Sequence, residues 1–252
     1  MNMKSKRAAI PAALFALAII GLSIFTRNLT SATGPADGQD PAAAATAAAW
    51  FGGGRFEVKV TNLTRGQQFT PILVASHRPG VRLFNLGDPA SSQLATLAEE
   101  GNTTPLAALL LANPSVRDVK SGSGLTDPGK SVTLTVDAPG VFNHLSVAAM
   151  LIPTNDAFFA LNGVEGPRGN SELTLFSPAY DSGSERNDEM CASIPGPLFM
   201  ECNNGPGGGG MPAGGEEGFV HIHAGIHGIG NLMPARRDWR NPVAKITIRR
   251  VR

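Results

Sequence analysis

The chain has 252 residues, a formal net charge of +1 at neutral pH, 16% charged residues and 6% aromatic residues. A near-neutral balance without a basic stripe interleaved with aromatics argues against a nucleic-acid partner, and the terminal Arg249, Arg250 and Arg252 are too short a run to replace one.

Residues 1–32 come first. Lys4, Lys6 and Arg7 precede an uncharged apolar run from Ala8 to Phe25, which reads as a signal peptide or as an N-terminal membrane anchor; both imply export. Thr30-Ser31-Ala32 is a mediocre cleavage site, while Pro11 and the small residues weaken a spanning helix, so the two alternatives stay open. No cysteine follows the run, which argues against a lipoprotein anchor. Residues 33–54, with Pro35, Pro41 and flanking glycines, have little to bury and read as a flexible Ala/Gly/Pro linker. Trp50 and Phe51 either pack on the domain edge or mark where order begins.

Residues 55–252 suit a single domain of about two hundred residues. Phe56, Val58 and Val60 alternate with Glu57, Lys59 and Thr61, the period of a strand with one wet face. Val132, Leu134 and Val136 alternate in the same way, as do Leu173 with Leu175 and Ile246 with Ile248. Pro71 to Ser76 and Leu145 to Pro153 are continuously apolar and suit central strands. Short strands separated by Gly and Pro turns predict an all-β fold, an antiparallel β-sandwich of about eight strands. A short helical insertion interrupts it: Gln93 to Glu99 stops near Gly101, and Thr104-Pro105 supplies a cap and a first-turn proline for a second helix ending before Pro114. These helices are expected to cover the sandwich.

Cys191 and Cys202 are the only cysteines, and in an exported chain they are expected to form one disulfide closing a local loop. The glycine-rich stretch Gly205 to Gly215 lacks the following Lys-Ser/Thr of a phosphate-binding loop and reads as a flexible excursion.

Two clusters carry candidate chemistry. In SPAYDSGSERNDE, Ser177 to Glu189, the carboxylates Asp181, Glu185, Asp188 and Glu189 crowd a short loop between strand-like segments and repel unless a cation sits among them. Calcium, Arg186 and a simply solvated turn are the three readings; the spacing is not that of an EF-hand. Farther on, the strand period places His221 and His223 on one face, with His227 just beyond a glycine turn. Imidazoles so spaced can chelate zinc, copper or iron, and equally can hydrogen-bond backbone and nearby carboxylates without a metal. The spacing approaches a cupin motif, with His227 where the cupin glutamate stands and no second motif. No Gly-x-Ser-x-Gly elbow or His-Glu-x-x-His helix is present, and the Asp181 and Glu185 pair lacks the aromatic residues of a sugar cleft.

The run DSGSE, Asp181 to Glu185, resembles the Asp-Ala-Gly-Thr-acid run of the spondin domain family, the N-terminal module of F-spondin that also occurs alone in secreted bacterial proteins. Pro153, Asp156 and Phe158 match its Pro-x-x-Asp-x-Phe pattern, and VHIHAGIHG and DWRNPVAKITIRR resemble its bacterial branch, so that the likeness runs from Phe56 to Val251. The resemblance implies an eight-stranded sandwich with one calcium ion held by acidic loops at one end. Carried over residue by residue, the ligands are Asp156, Asp181 and Glu185, with Asn155, Asp188 or Glu189 as further contributors. Glu185 departs from the animal pattern, where an aspartate stands, and the HIHAGIHG stretch departs too, so animal partners do not transfer.

The expectation is therefore an exported calcium-binding module, secreted, periplasmic or anchored to the cell surface. It would serve extracellular matrix or cell-surface interaction, with calcium structural, no catalysis, and a protein or glycan as partner. The alternative is a metal-dependent enzyme using His221, His223 and His227. A lipid-surface role ranks last, because no apolar insertion residues crown the acidic loop.

Overall fold

A computed structural model describes residues 54–196, 200–202 and 215–251. The expected leader at 1–32, the linker at 33–54 apart from Gly54, and most of the glycine-rich stretch lie outside the described residues.

In chain order the strands are β1 (Arg55–Asn62), β2 (Gln68–Phe69), β3 (Leu73–His77), β4 (Val116–Ser121), β5 (Ser131–Asp137), β6 (His144–Ile152), β7 (Ala157–Glu165), β8 (Glu172–Ser177), β9 (Ala179–Asp181), β10 (His221–Ile222) and β11 (Ala244–Val251). They form two antiparallel sheets, one of four strands in the order β5-β1-β11-β8 and one of seven in the order β10-β9-β7-β6-β3-β4 with β2 beside β6. The sandwich is thus as expected, and its eight long strands are joined by the two- or three-residue strands β2, β9 and β10. Two of those three edge the site described below.

Alternation decides the four-stranded sheet. Phe56, Val58 and Val60 of β1 point inward at 0–1% exposure and lie level with Val136, Leu134 and Val132 of β5. On the other side β1 is level with β11, where Ile248 and Ile246 face the same core. Opposite them stand Val74, Val147, Ala149, Leu151 and Phe159 from the seven-stranded sheet. Apolar burial between the two inner faces is the main stabilising term.

The second sheet is covered on its other face as well. Two helices, α1 (Ser92–Glu100) and α2 (Thr104–Leu111), place Leu94, Leu97, Leu106 and Leu110 against Leu73, Ala75, Ala148, Phe158 and Ala160. Strands β3, β6 and the first half of β7 are consequently buried on both faces, which is why they read as continuous apolar runs.

Helix α1 starts where Ser91 Oγ accepts the Leu94 N–H at 3.2 Å and stops at Gly101, whose φ of 67° lies in the left-handed region. Thr104, expected as the cap of the second helix, lies instead inside it: Thr103 occupies the cap position, and the Asn102 side chain accepts the Thr104 N–H at 3.1 Å. Pro105 does occupy the first turn, where its missing N–H costs nothing. Cys191 and Cys202 form a disulfide, closing a ring of sequence separation 11 that stabilises by about 3 kcal/mol in the loop-entropy account.

Candidate metal centre

Antiparallel pairing brings the acidic residues to one end of the large sheet. Ala157, the first residue of β7, lies level with Asp181, the last of β9, and Asp181 in turn lies level with His221 of β10. The turn that precedes β7, carrying Asp156, and the loop that leaves β9, carrying Ser182 to Glu189, therefore emerge side by side.

Asp156 is fully buried. Its Oδ2 accepts the Ser182 hydroxyl at 2.8 Å and the N–H groups of Ser184 and Glu185 at 2.9 and 3.1 Å, whereas its Oδ1 has no hydrogen-bond partner among the described residues. Glu185, 3% exposed, has no partner for either carboxylate oxygen among the described residues. Burial pushes the Asp156 carboxyl up to about 7, with the Asp181 charge adding to it. Burial, together with the charges of Glu99, Asp156 and Asp188, pushes Glu185 up to about 8. Asp181 is raised by burial too, although the Gly183 N–H at 2.8 Å and the Asn187 amide at 2.6 Å hold its two oxygens.

Arg186, the competing cation, is exposed and makes no salt bridge with these carboxylates among the described residues. The three acceptor oxygens on Asp156 and Glu185 are thus out of water without a proton donor or a positive side chain. That is the most costly state for a carboxylate, and a bound cation relieves it.

The other acidic residues of the loop are tied differently. Asp188 accepts the Asn155 amide and the Met190 N–H on Oδ1, at 3.0 and 2.8 Å, and the Ser193 hydroxyl on Oδ2 at 2.7 Å. Glu189 reaches across to the loop after β10 and accepts the N–H groups of His227, Gly228 and Ile229 at 2.5, 2.7 and 3.0 Å. Asn155 Oδ1 accepts the Glu189 N–H at 3.1 Å. These side chains rivet three loops together, and their hydrogen bonds give them a structural occupation that spacing alone did not reveal.

The three histidines diverge. His221 is half-buried, with Nε2 3.6 Å from Asp181 Oδ1, and His223 is buried, with Nε2 3.8 Å from Asp181 Oδ2. Burial, reinforced by His221 and His227, lowers His223 to about 3, so its ring is neutral. His223 Nδ1 accepts the Gly225 N–H at 2.9 Å, which leaves the proton of the neutral ring on Nε2. A protonated Nε2 has no lone pair for a metal. His227 is exposed and directs Nε2 to the Ala224 carbonyl at 3.3 Å. Among the described residues the group whose ligand atoms all lie within 4.8 Å of one another is Asp181, Glu217 and His221. Glu217 escaped sequence reasoning because it follows the glycine-rich stretch and belongs to no periodic element. A pocket of about 320 Å³ borders His223, His227, Asp238 and Trp239, beside the acidic loops rather than over them.

Fold and site together define an antiparallel sandwich module with a cluster of buried carboxylates at one end. The family model described as Spondin_N matches residues 60–168, and over that span the chain is similar to the spondin family. The match includes Asp156 and ends before Asp181, so the second acidic loop, the histidines and β11 rest on the structure and the residue-level resemblance. No curated protein matches the chain.

Proposed function

We propose that the protein is an exported, calcium-binding spondin-like module for extracellular matrix or cell-surface interaction, in which calcium is structural. The spondin match and the disulfide support an extracellular kind of module. No helix among the described residues is long and apolar enough to cross a membrane, and the apolar run at Ala8 to Phe25 lies outside them.

One observation carries the calcium reading: Asp156 Oδ1 and both oxygens of Glu185 are buried acceptors with no donor among the described residues. Hard oxygen donors, including one carboxylate with both oxygens free, suit a cation that takes six to eight oxygen ligands. Asp156 and Glu185 would hold the ion and Asp181 would add its charge, with backbone carbonyls and water completing the shell. Such an ion neutralises the repulsion between two loops and stabilises the folded form by mass action. The partner in this reading is an extracellular or cell-surface protein or glycan, and no catalytic residue is assigned.

The test is elemental analysis of the purified protein with thermal melts in calcium and in chelator. About one calcium per chain is expected, with a melting temperature that falls on chelation. Glu185→Gln should remove the calcium response, and in chelator it should melt no lower than the parent, because it deletes a buried carboxyl that must take up a proton when the chain folds. Equal melting of parent and variant under both conditions would falsify the assignment.

A further inference from the structure

We propose that Asp181, Glu217 and His221 form a second metal site, open to solvent and suited to a divalent transition ion of the zinc class. Ligand atoms of these three residues lie within 4.8 Å of one another, on a buried, an exposed and a half-buried side chain respectively.

The decisive detail is the proton on His221. Its Nδ1 lies 3.1 Å from the Ile222 carbonyl, which can only accept, so Nδ1 carries the hydrogen and Nε2 of the neutral ring presents a lone pair. Among the described residues that Nε2 has no hydrogen-bond partner, and it lies 3.6 Å from Asp181 Oδ1. A cation between two acceptors at this distance relieves their repulsion. A nitrogen and an oxygen at tetrahedral positions around zinc, each about 2.0–2.2 Å from the ion, stand about 3.4 Å apart. The observed separation is close to that.

The surroundings have the form of a supporting shell. The Asn187 amide donates to Asp181 Oδ2 at 2.6 Å and approaches Glu217 Oε1 at 3.4 Å, holding the two carboxylates in register. The His223 side chain, only 4% exposed, aims an Nε2–H without a partner at Asp181 Oδ2 from 3.8 Å. Histidine and amide groups behind a ligating carboxylate fix its orientation. An imidazole nitrogen selects against calcium, which takes oxygen donors, and three protein ligands leave a fourth position for water. The group includes neither Asp156 nor Glu185, whose orphaned oxygens belong to the proposed calcium site.

The experiment is calorimetric titration of the full chain with zinc chloride in millimolar calcium, together with cobalt(II) substitution read by visible absorption. One zinc per chain is expected on top of the bound calcium, and cobalt should show the stronger absorption of a four-coordinate site. Glu217→Gln, an exposed position without a folding role, and His221→Ala should each weaken zinc binding by about tenfold or more while leaving the calcium-dependent melt in place. His227→Ala should bind zinc like the parent. Absence of zinc uptake would overturn the site. So would zinc that calcium displaces, or zinc retained by both ligand variants.

Discussion

Glu185 is the side chain whose charge the fold compensates least, and that imbalance has a sign in pH. In chelator the unfolded carboxyls ionise near pH 4, whereas folded Glu185 and Asp156 hold their protons to about 8 and about 7. Across that interval the folded chain binds more protons than the unfolded one, so stability falls as pH rises, by up to about 1.4 kcal/mol per pH unit for each carboxyl still protonated. His77 acts at the other end of the scale. Burial lowers it, so it is neutral when folded and destabilises only as the unfolded imidazole protonates, below about pH 6.5. Melts in chelator between about pH 7 and 8.5 should therefore drop steadily, since the carboxyls are the groups changing there. Saturating calcium should abolish the slope, and Glu185→Gln should flatten most of it in chelator. A chelated parent whose melting temperature is level across that window would show that these carboxyls are ionised and solvated when folded.

At the scale of elements, the acidic loop depends on how closely it approaches the segment before β10. Gly183 has a φ of 65°, and a Cβ there would meet the Phe219 carbonyl oxygen at 2.3 Å. Gly183→Ala is expected to cost about 1–3 kcal/mol for the left-handed backbone and, by pushing the loop outward, to weaken calcium binding as well. Undiminished calcium affinity in that variant would mean that the loop tolerates displacement.

The limits of sequence reading show in the same elements. Strands β1, β5, β8 and β11 were legible because one face is wet and the period is plain. Strand β7 was not singled out, because a strand buried on both faces has no alternation over Ala157 to Leu161. Strand β4, with its weakly graded pattern, was missed for the opposite reason. Asp156 entered only through resemblance, while Asp181 and Glu185 stood out in the acidic run together with Asp188 and Glu189, and nothing in the spacing shows which of these oxygens lack donors. The bonds of Asp188 and Glu189 to other loops, and the approach of Glu217 to His221, arise from tertiary contact and leave no trace in periodicity.

For the whole molecule, the first and last strands matter together. Strand β1 lies between β5 and β11, with Arg55 level with both Asp137 and Val251. Its start is at the end of the sandwich where Gly166 abuts the Phe56 ring, and Gly166 bonds to Asn143 just before β6. The acidic loops lie at the other end, where β6 finishes and β7 begins.

This arrangement sets how the domain bears force. A pull between Gly54 and the acidic end loads β1 along its own axis, so the cross-strand bonds of all eight residues resist in shear together. A pull between Gly54 and Val251 instead peels the same ladder apart one pair at a time. Single-molecule stretching from residue 54 should accordingly meet much higher unfolding force with the second handle in the Ser182 to Glu189 loop than with it at Val251. The domain would then be toughest along the axis of its first strand.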